Sequence, residues 1–293
     1  MGRYSINDIE RLSGIKAHTI RIWEKRYDIF QPERTDTNIR YYTDDTLRKI
    51  LKISILHNNG VKISKIAGLS ESEINKRVEQ SASAIHNSGF DNQIDALIVC
   101  MIELNEEQFV NVINQLIEKH SFEKIVLEVF YPLFERIGVL WQIGSINPAQ
   151  EHFISNLIRQ KIIVAIDSLP VPKQGKTFLL FLHENELHEL GLLFYHYLLR
   201  KKGFKVVYIG QAVPYKDLLM LKRTLKFDFL VTSFISNLPE GALQHYINDL
   251  AHDFSNHQIV ISGFQVSGNE LTLASNILKI GDANAFSQLI ESL

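Results

Sequence analysis

The chain has 293 residues, 45% apolar and 22% charged, with a formal net charge of −2. At roughly 100–200 residues per domain, that length suggests two or three globular domains, and the composition excludes a disordered, collagenous or repeat-array chain. A single cysteine, Cys100, excludes an internal disulfide framework and a multi-cysteine zinc site.

No apolar run reaches the ~18 uncharged residues of a spanning helix, and the opening MGRYSINDIERL lacks the apolar core of a secretory signal. A soluble protein of a reducing, cytoplasmic compartment, with no membrane partner, is therefore expected. Charge is distributed unevenly. Residues 1–52 carry 11 Lys+Arg and 8 Asp+Glu, a net +3, whereas the rest of the chain is net −5. A locally basic head on an acidic body is compatible with DNA binding.

Residues 1–80 read as a head of short helices. Ser5 precedes Ile6, Ile9 and Leu12, a capped helix with one apolar stripe. Gly14 breaks it, and a second helix runs from about Ala17 to Tyr27 with Ile20 and Trp23 facing inward. Two short helices about a glycine turn form the helix-turn-helix pattern. QPERTDTNIRYY reads as a loop or β-wing. A longer helix starts near Asp44, with Leu47, Ile50, Leu51 and Ile55 spaced for burial, and VKISKIAGLSESEINKRV adds two shorter ones.

SASAIHNSGF, residues 81–90, reads as a linker. Residues 91–168 have helical periodicity throughout, with caps at Asn105, Ser121 and Asn147-Pro148, and predict a four-helix bundle. LPVPKQGK, residues 169–176, is a second linker. From 177 to 293 short apolar runs (TFLLFLH, KVVYIG, FDFLVTSFI, QIVISGF, LKI) alternate with amphipathic stretches near 188–201, 215–225, 240–253 and 284–293. That alternation predicts an α/β domain, a flavodoxin-like doubly wound parallel sheet.

Ligands of such a sheet bind beyond the carboxyl ends of the strands, where strand order reverses, here between the first and third strands. The first strand ends at His183 and runs into ENELHELG; the third ends at Thr232-Ser233. No GxGxxG follows the first strand, which argues against a dinucleotide. Glu186 stands two residues before His188, so its carboxylate can accept one ring N–H and strengthen the other nitrogen as a metal ligand. A lone imidazole suits a metal already held by a macrocycle. On spacing alone, His188 could equally open the following helix or face water.

Three stretches carry family resemblances. The C-terminal segment resembles cobalamin-binding domains of the methionine synthase and methylmalonyl-CoA mutase type, whose signature is Asp-x-His-x-x-Gly, Ser-x-Leu, Gly-Gly. It stands here as Glu186-x-His188-x-x-Gly191, Ser233-Phe-Ile235 and Ser262-Gly263, separated by 41 and 26 residues. The resemblance implies adenosylcobalamin or methylcobalamin as cofactor, with His188 as the lower axial ligand to cobalt. It also implies Ser233 against the displaced nucleotide tail and Gly263 where the backbone approaches that tail. Glu186 replaces aspartate, Ile235 replaces leucine, and Ser262 puts a side chain where the signature has glycine.

The bundle resembles the helical cap of cobalamin-dependent transcriptional photoreceptors, which carry Trp, nine residues, then Glu-His. Trp141 and Glu151-His152 match that spacing. The resemblance implies Trp141 over the upper side of a corrin, with Glu151 and His152 in polar contact with an adenosyl group. Members that form a light-driven bis-histidine adduct have histidine directly after the tryptophan, where this chain has Gln142.

The head, from Ala17 to Tyr42, resembles the winged helix-turn-helix of MerR-type regulators through T-x-R-x-W-E-x-R-Y, P-x-R-T and R-x-Y. That implies His18, Thr19 and Arg21 at base edges or phosphates in the major groove. Arg34, Asn38, Arg40 and Tyr41 would then be wing contacts to backbone phosphates. Alternatively Arg21, Arg26 and Arg40 pair with Glu24, Asp28 and Asp36, and Tyr27 and Tyr42 pack inside the head.

Together these imply a three-module transcriptional regulator acting on double-stranded DNA at a palindromic operator. The corrinoid would lie between bundle and sheet domain, and the protein would self-assemble as a dimer or tetramer through its C-terminal modules. The alternative keeps the regulator and drops the cofactor in favour of a protein partner or another small ligand. An enzyme of corrinoid methyl transfer or radical rearrangement would need a substrate-activating barrel of ~250 further residues.

Overall fold

A computed structural model describes residues 4–34, 38, 40–58, 60–82, 89–142 and 146–293. Residues 35–37 and 39 of the expected wing, and 83–88 of the expected first linker, lie outside the described residues. The chain divides into two compact units, Met1–Ile158 and Arg159–Leu293.

In the first unit, α1 (Ile6–Ser13) opens on a reciprocal capping box between Ser5 and Asp8 and closes at Gly14, in the left-handed region at φ +69°. Lys16 gives α2 (Ala17–Tyr27) no side-chain cap. The Glu10 carboxylate, from α1, supplies it by accepting the Ala17 N–H at 2.9 Å. The turn is thereby held by an acidic group at a helix N-terminus.

The two-residue strands β1 (Glu33–Arg34) and β2 (Arg40–Tyr41) pair antiparallel as the wing. There follow α3 (Asp44–Asn58), α4 (Ile63–Ile66) and α5 (Glu71–Ala82). Every residue of α3 from Ile50 to Leu56 is buried, as a helix enclosed on several sides requires. It packs on α1 and on α6 (Asp91–Glu103), and α5 also packs on α6. Head and bundle therefore share one core, although the sequence reads as two modules with a linker between them.

Polar ties on two sides of α3 accompany this packing. Buried Lys52 meets Glu103 of α6 at 2.7 Å. The Ser54 hydroxyl donates to the Ser13 carbonyl of α1 at 3.0 Å.

The bundle continues with α7 (Glu106–Lys119), where the Asn105 side chain accepts the Gln108 N–H. The third bundle helix is composite. It consists of α8 (Phe122–Ile125), a π-helical segment Val126–Phe130 and α9 (Tyr131–Gln142). The fourth is α10 (Pro148–Asp167), with Asn147 accepting from the Gln150 N–H and proline in its first turn.

The second unit is a five-stranded parallel sheet. Its strands are β3 (Thr177–His183), β4 (Lys205–Val213), β5 (Phe229–Ser233), β6 (Gln258–Ser262) and β7 (Ile277–Lys279), in the order β4-β3-β5-β6-β7. This is the flavodoxin-like order, with the reversal between β3 and β5. Helices α11 (Leu190–Lys201), α12 (Tyr215–Thr224), α13 (Ala242–Asp253), short α14 (Phe264–Gly268) and α15 (Ala283–Glu291) complete it. Strands β3, β5 and β6 are buried on both faces, which is why their sequences are near-continuous apolar runs.

Candidate functional site

β3 delivers the chain to the switch point at His183. That residue is buried and stacks on Phe234 at 5.4 Å, so burial lowers its pKa and it belongs to the core. The loop 184–189 then turns over the strand ends.

Glu186 in that loop is fully buried. One carboxylate oxygen accepts the backbone N–H groups of Ile235 and Ser236, both at 2.8 Å. The other accepts those of Leu187 and His188, both at 3.1 Å, and the Ser236 hydroxyl at 2.9 Å. The same oxygen lies 2.6 Å from Nδ1 of His188. Burial alone would raise the carboxyl pKa. The hydrogen bonds from His188, Ser236 and Ile235 outweigh it and hold Glu186 well below the usual carboxylate range.

An ionised Glu186 is an acceptor, so the facing Nδ1 donates to it, and a neutral ring then has its lone pair on Nε2. The His188 side chain is 65% exposed. A carboxylate wholly out of water thus orients an imidazole that stands in it.

The edge strand β4 supports the loop from the other side. Its register against β3 shifts twice, and Gly210 and Ala212 take positive φ of 92° and 52°. This bulged backbone brings the Gln211 amide to the Leu187 carbonyl at 2.6 Å and the Ala212 N–H to the Glu186 carbonyl at 3.2 Å.

The segments that follow β3, β5 and β6 each expose a large apolar residue, Leu187, Ile235 and, at the start of α14, Phe264. A Cβ added at Gly191 would meet open space. At Gly263, φ is +106° and a Cβ would lie 2.7 Å from the Phe234 nitrogen, so glycine there is required by the chain's own packing. Ser233 and Ser262 are buried at the ends of β5 and β6, and Thr232 Oγ1 has no hydrogen-bond partner among the described residues.

These features fit a flat, largely apolar macrocycle whose metal can accept one imidazole nitrogen. No group of three His, Cys, Asp or Glu among the described residues forms a self-sufficient metal site.

In the first unit, Trp141 is exposed at the end of α9. In the first turns of α10, Glu151 pairs with Nδ1 of exposed His152 at 2.8 Å and accepts the Ser155 hydroxyl at 2.6 Å.

In the head, His18 and Arg21 lie on the solvent side of α2, and Thr19 Oγ1 lies 3.3 Å from the His18 ring. Arg21 and Arg40 line one depression of about 400 Å³ between α2 and the wing. Arg34 donates to the Asn38 side chain at 2.7 Å, and Tyr41 donates across the wing to Glu33.

Trp23 is buried edge-on to His57, and Tyr42 is buried and donates to Glu24. Among the described residues no ion pair joins Arg21, Arg26 or Arg40 to Glu24 or Asp28. The pairing alternative therefore does not form there, while Asp36 lies outside the described residues.

Several residues escaped the sequence reading. Ile22 is half-exposed on α2, off the Ile20/Trp23 stripe, where an apolar side chain can meet a thymine methyl. The spacing carried that signal. Ser236 and Gln211 carried none, because each reaches the His188 loop from a distant segment.

Comparisons with known proteins match the head and the bundle to families and find relatives along most of the chain. Residues 4–73 match the MerR HTH family regulatory proteins, and residues 93–165 match a B12 binding domain. The chain is 28% identical over 241 residues to the HTH-type transcriptional repressor CarH of Myxococcus xanthus, covering 80% of this chain and 79% of that one. It is 24% identical over 260 residues to the repressor CarA of the same organism, covering 88% and 85%. A Methanosarcina barkeri monomethylamine corrinoid protein superposes with a TM-score of 0.55 at 14% identity, over 67% of this chain and 96% of that one, a likeness of fold.

Proposed function

We propose that this chain is a DNA-binding transcriptional regulator whose operator binding or assembly is controlled by a cobalamin, adenosylcobalamin or methylcobalamin. The observation that carries the reading is the buried Glu186 carboxylate fixing the tautomer of exposed His188 at the sheet's switch point. The MerR and B12-binding regions and the likeness to two repressors support it.

When bound, cobalamin would supply a cobalt able to accept an imidazole nitrogen. His188 would present Nε2 to it while Glu186 holds the Nδ1 proton and offsets charge drawn from the ring. Leu187, Ile235 and Phe264 would keep water from the bound macrocycle, with Gly191 leaving space. Ser233, Ser262 and Gly263 would border the nucleotide tail. Trp141, Glu151 and His152 are assigned to the same cofactor on their signature spacing.

In the head, His18, Thr19 and Arg21 would read the major groove, and Arg34, Asn38, Arg40 and Tyr41 would hold phosphates. Paired copies on a palindromic operator follow from one head reading one half-site. The cofactor shifts DNA affinity by its differential affinity for the two arrangements of the protein.

Titration of adenosylcobalamin in darkness, followed by absorbance, tests the reading. Saturable spectral change in the wild type, lost in His188→Ala, is expected. No change in either protein would favour the regulator that answers another ligand. Buried Ser262, at a glycine position of the signature and on the sheet packed by Tyr195 and Phe286 (4.1 Å between ring centres), is the observation on that side.

A further inference from the structure

The residue after His188 is itself a buried acid. Glu189 is 5% exposed, and its side chain makes no cap hydrogen bond to α11, which it precedes. One oxygen accepts from Nε of Arg159 at 2.6 Å, and the other from the Tyr208 hydroxyl at 2.6 Å. Arg159 is the residue at which α10 enters the second unit. Tyr208 lies on β4 just before its bulge, and its ring stacks on His196 at 5.4 Å.

His188 thus sits between two buried carboxylates. Glu186 pins its loop to the chain beyond β5, and Glu189 pins it to α10 and β4. An exposed surface loop needs neither contact, and burying an acid is unfavourable unless it is paired and hydrogen-bonded. Glu189 meets both conditions with groups from two other elements.

We infer that Glu189 is a positioning residue, whose ion pair with Arg159 and hydrogen bond from Tyr208 set the placement of His188 and tie that placement to α10. The inference rests on the reading of His188 as a cobalt ligand. It adds that the ligand's geometry is governed from a helix outside the sheet, through contacts the signature motif does not contain.

The test uses the full chain with adenosylcobalamin in darkness, following the absorbance of nitrogen-ligated cobalt against pH. The wild type is compared with Glu189→Gln, Arg159→Ala, their double variant, Arg159→Lys and Tyr208→Phe. Glu189→Gln and Arg159→Ala are expected each to weaken binding about tenfold, the lower range for a partner of a metal ligand. In both, ligation should give way to protonation at a higher pH than in the wild type.

The double variant should be no worse than the poorer single one, because both remove one shared contact. Arg159→Lys should recover most of the loss. Should the charge variants not fold, Tyr208→Phe keeps the ring stack and should shift the pH profile in the same direction by less.

Unchanged affinities and pH profiles, with the band still lost in His188→Ala, would overturn the role of Glu189 alone, as would fully additive losses. A wild type without any His188-dependent band would overturn the parent reading instead.

Discussion

At the residue scale the site turns on one charge held out of water. A carboxylate buried as completely as Glu186 would ordinarily take up a proton, but five hydrogen bonds and the His188 ring keep it ionised. It is one methylene longer than the aspartate of the signature it resembles, and it joins the His188 loop to the backbone of Ile235 and Ser236. Glu186→Gln preserves the shape and removes the charge. We expect a 10- to 100-fold loss of cobalamin affinity, read by titration, with the fold retained by circular dichroism. Full affinity would show that the charge is idle.

Gly263→Ala tests a different cause, since both φ and the Phe234 backbone forbid a side chain. It should lower unfolding stability by about 1–3 kcal/mol, read by denaturant titration, and unaltered stability would contradict the packing argument. The motif spacing singled out His188, Gly191 and Gly263, whereas the Phe234 backbone that requires glycine at 263 lies in a distant segment and was not legible. Ser236, Gln211 and Glu189 were not legible either, since nothing in a linear spacing shows which distant segment meets a loop.

At the element scale the regular parts were legible wherever one face of a helix or strand meets one neighbour. The Ser5, Asn105, Ser121 and Asn147 caps and the alternation after residue 177 gave element types and order. The π-helical segment and the β4 bulge were hidden, as both arise from tertiary fit. So was the shared core of head and bundle, because α3 and α6 are buried on several faces and their periodicity is blurred.

The α6 side of that core contains a titratable group. Asp95 on α6 pairs with Arg136 on α9, yet burial outweighs the guanidinium and pushes its carboxyl up to about 7. The folded protein therefore holds a proton that the unfolded chain releases near pH ~4. Stability from this group is present below about pH 4 and is lost as pH rises through about 7. Thermal unfolding should show the wild type losing stability relative to Asp95→Asn across that window, and parallel curves would contradict it.

In the head, Arg21→Ala should weaken operator binding by about 1–3 kcal/mol if the guanidinium reads a base. Arg40→Ala should instead weaken all sequences alike and reduce the salt slope by about one. Anisotropy titrations at several salt concentrations separate the two.

At the scale of the whole molecule, the DNA-reading head lies in the first compact unit and the His188 loop in the second, and regulation requires a coupling free energy between them. Couplings of this kind span roughly 5- to 150-fold in affinity. Duplexes selected from random sequence by the wild type should be palindromic. Adenosylcobalamin should change their affinity within that range, and His188→Ala should bind the same sites without the dependence.

Everything rests on a histidine nitrogen of this chain reaching cobalt, and electron paramagnetic resonance of the bound cobalt(II) form reads that bond directly. With protein labelled by ¹⁵N in histidine alone, the account predicts that the superhyperfine triplet from one axial nitrogen becomes a doublet, and that His188→Ala abolishes the doublet. A triplet that survives the label would place the cofactor's own base on the metal and contradict the account.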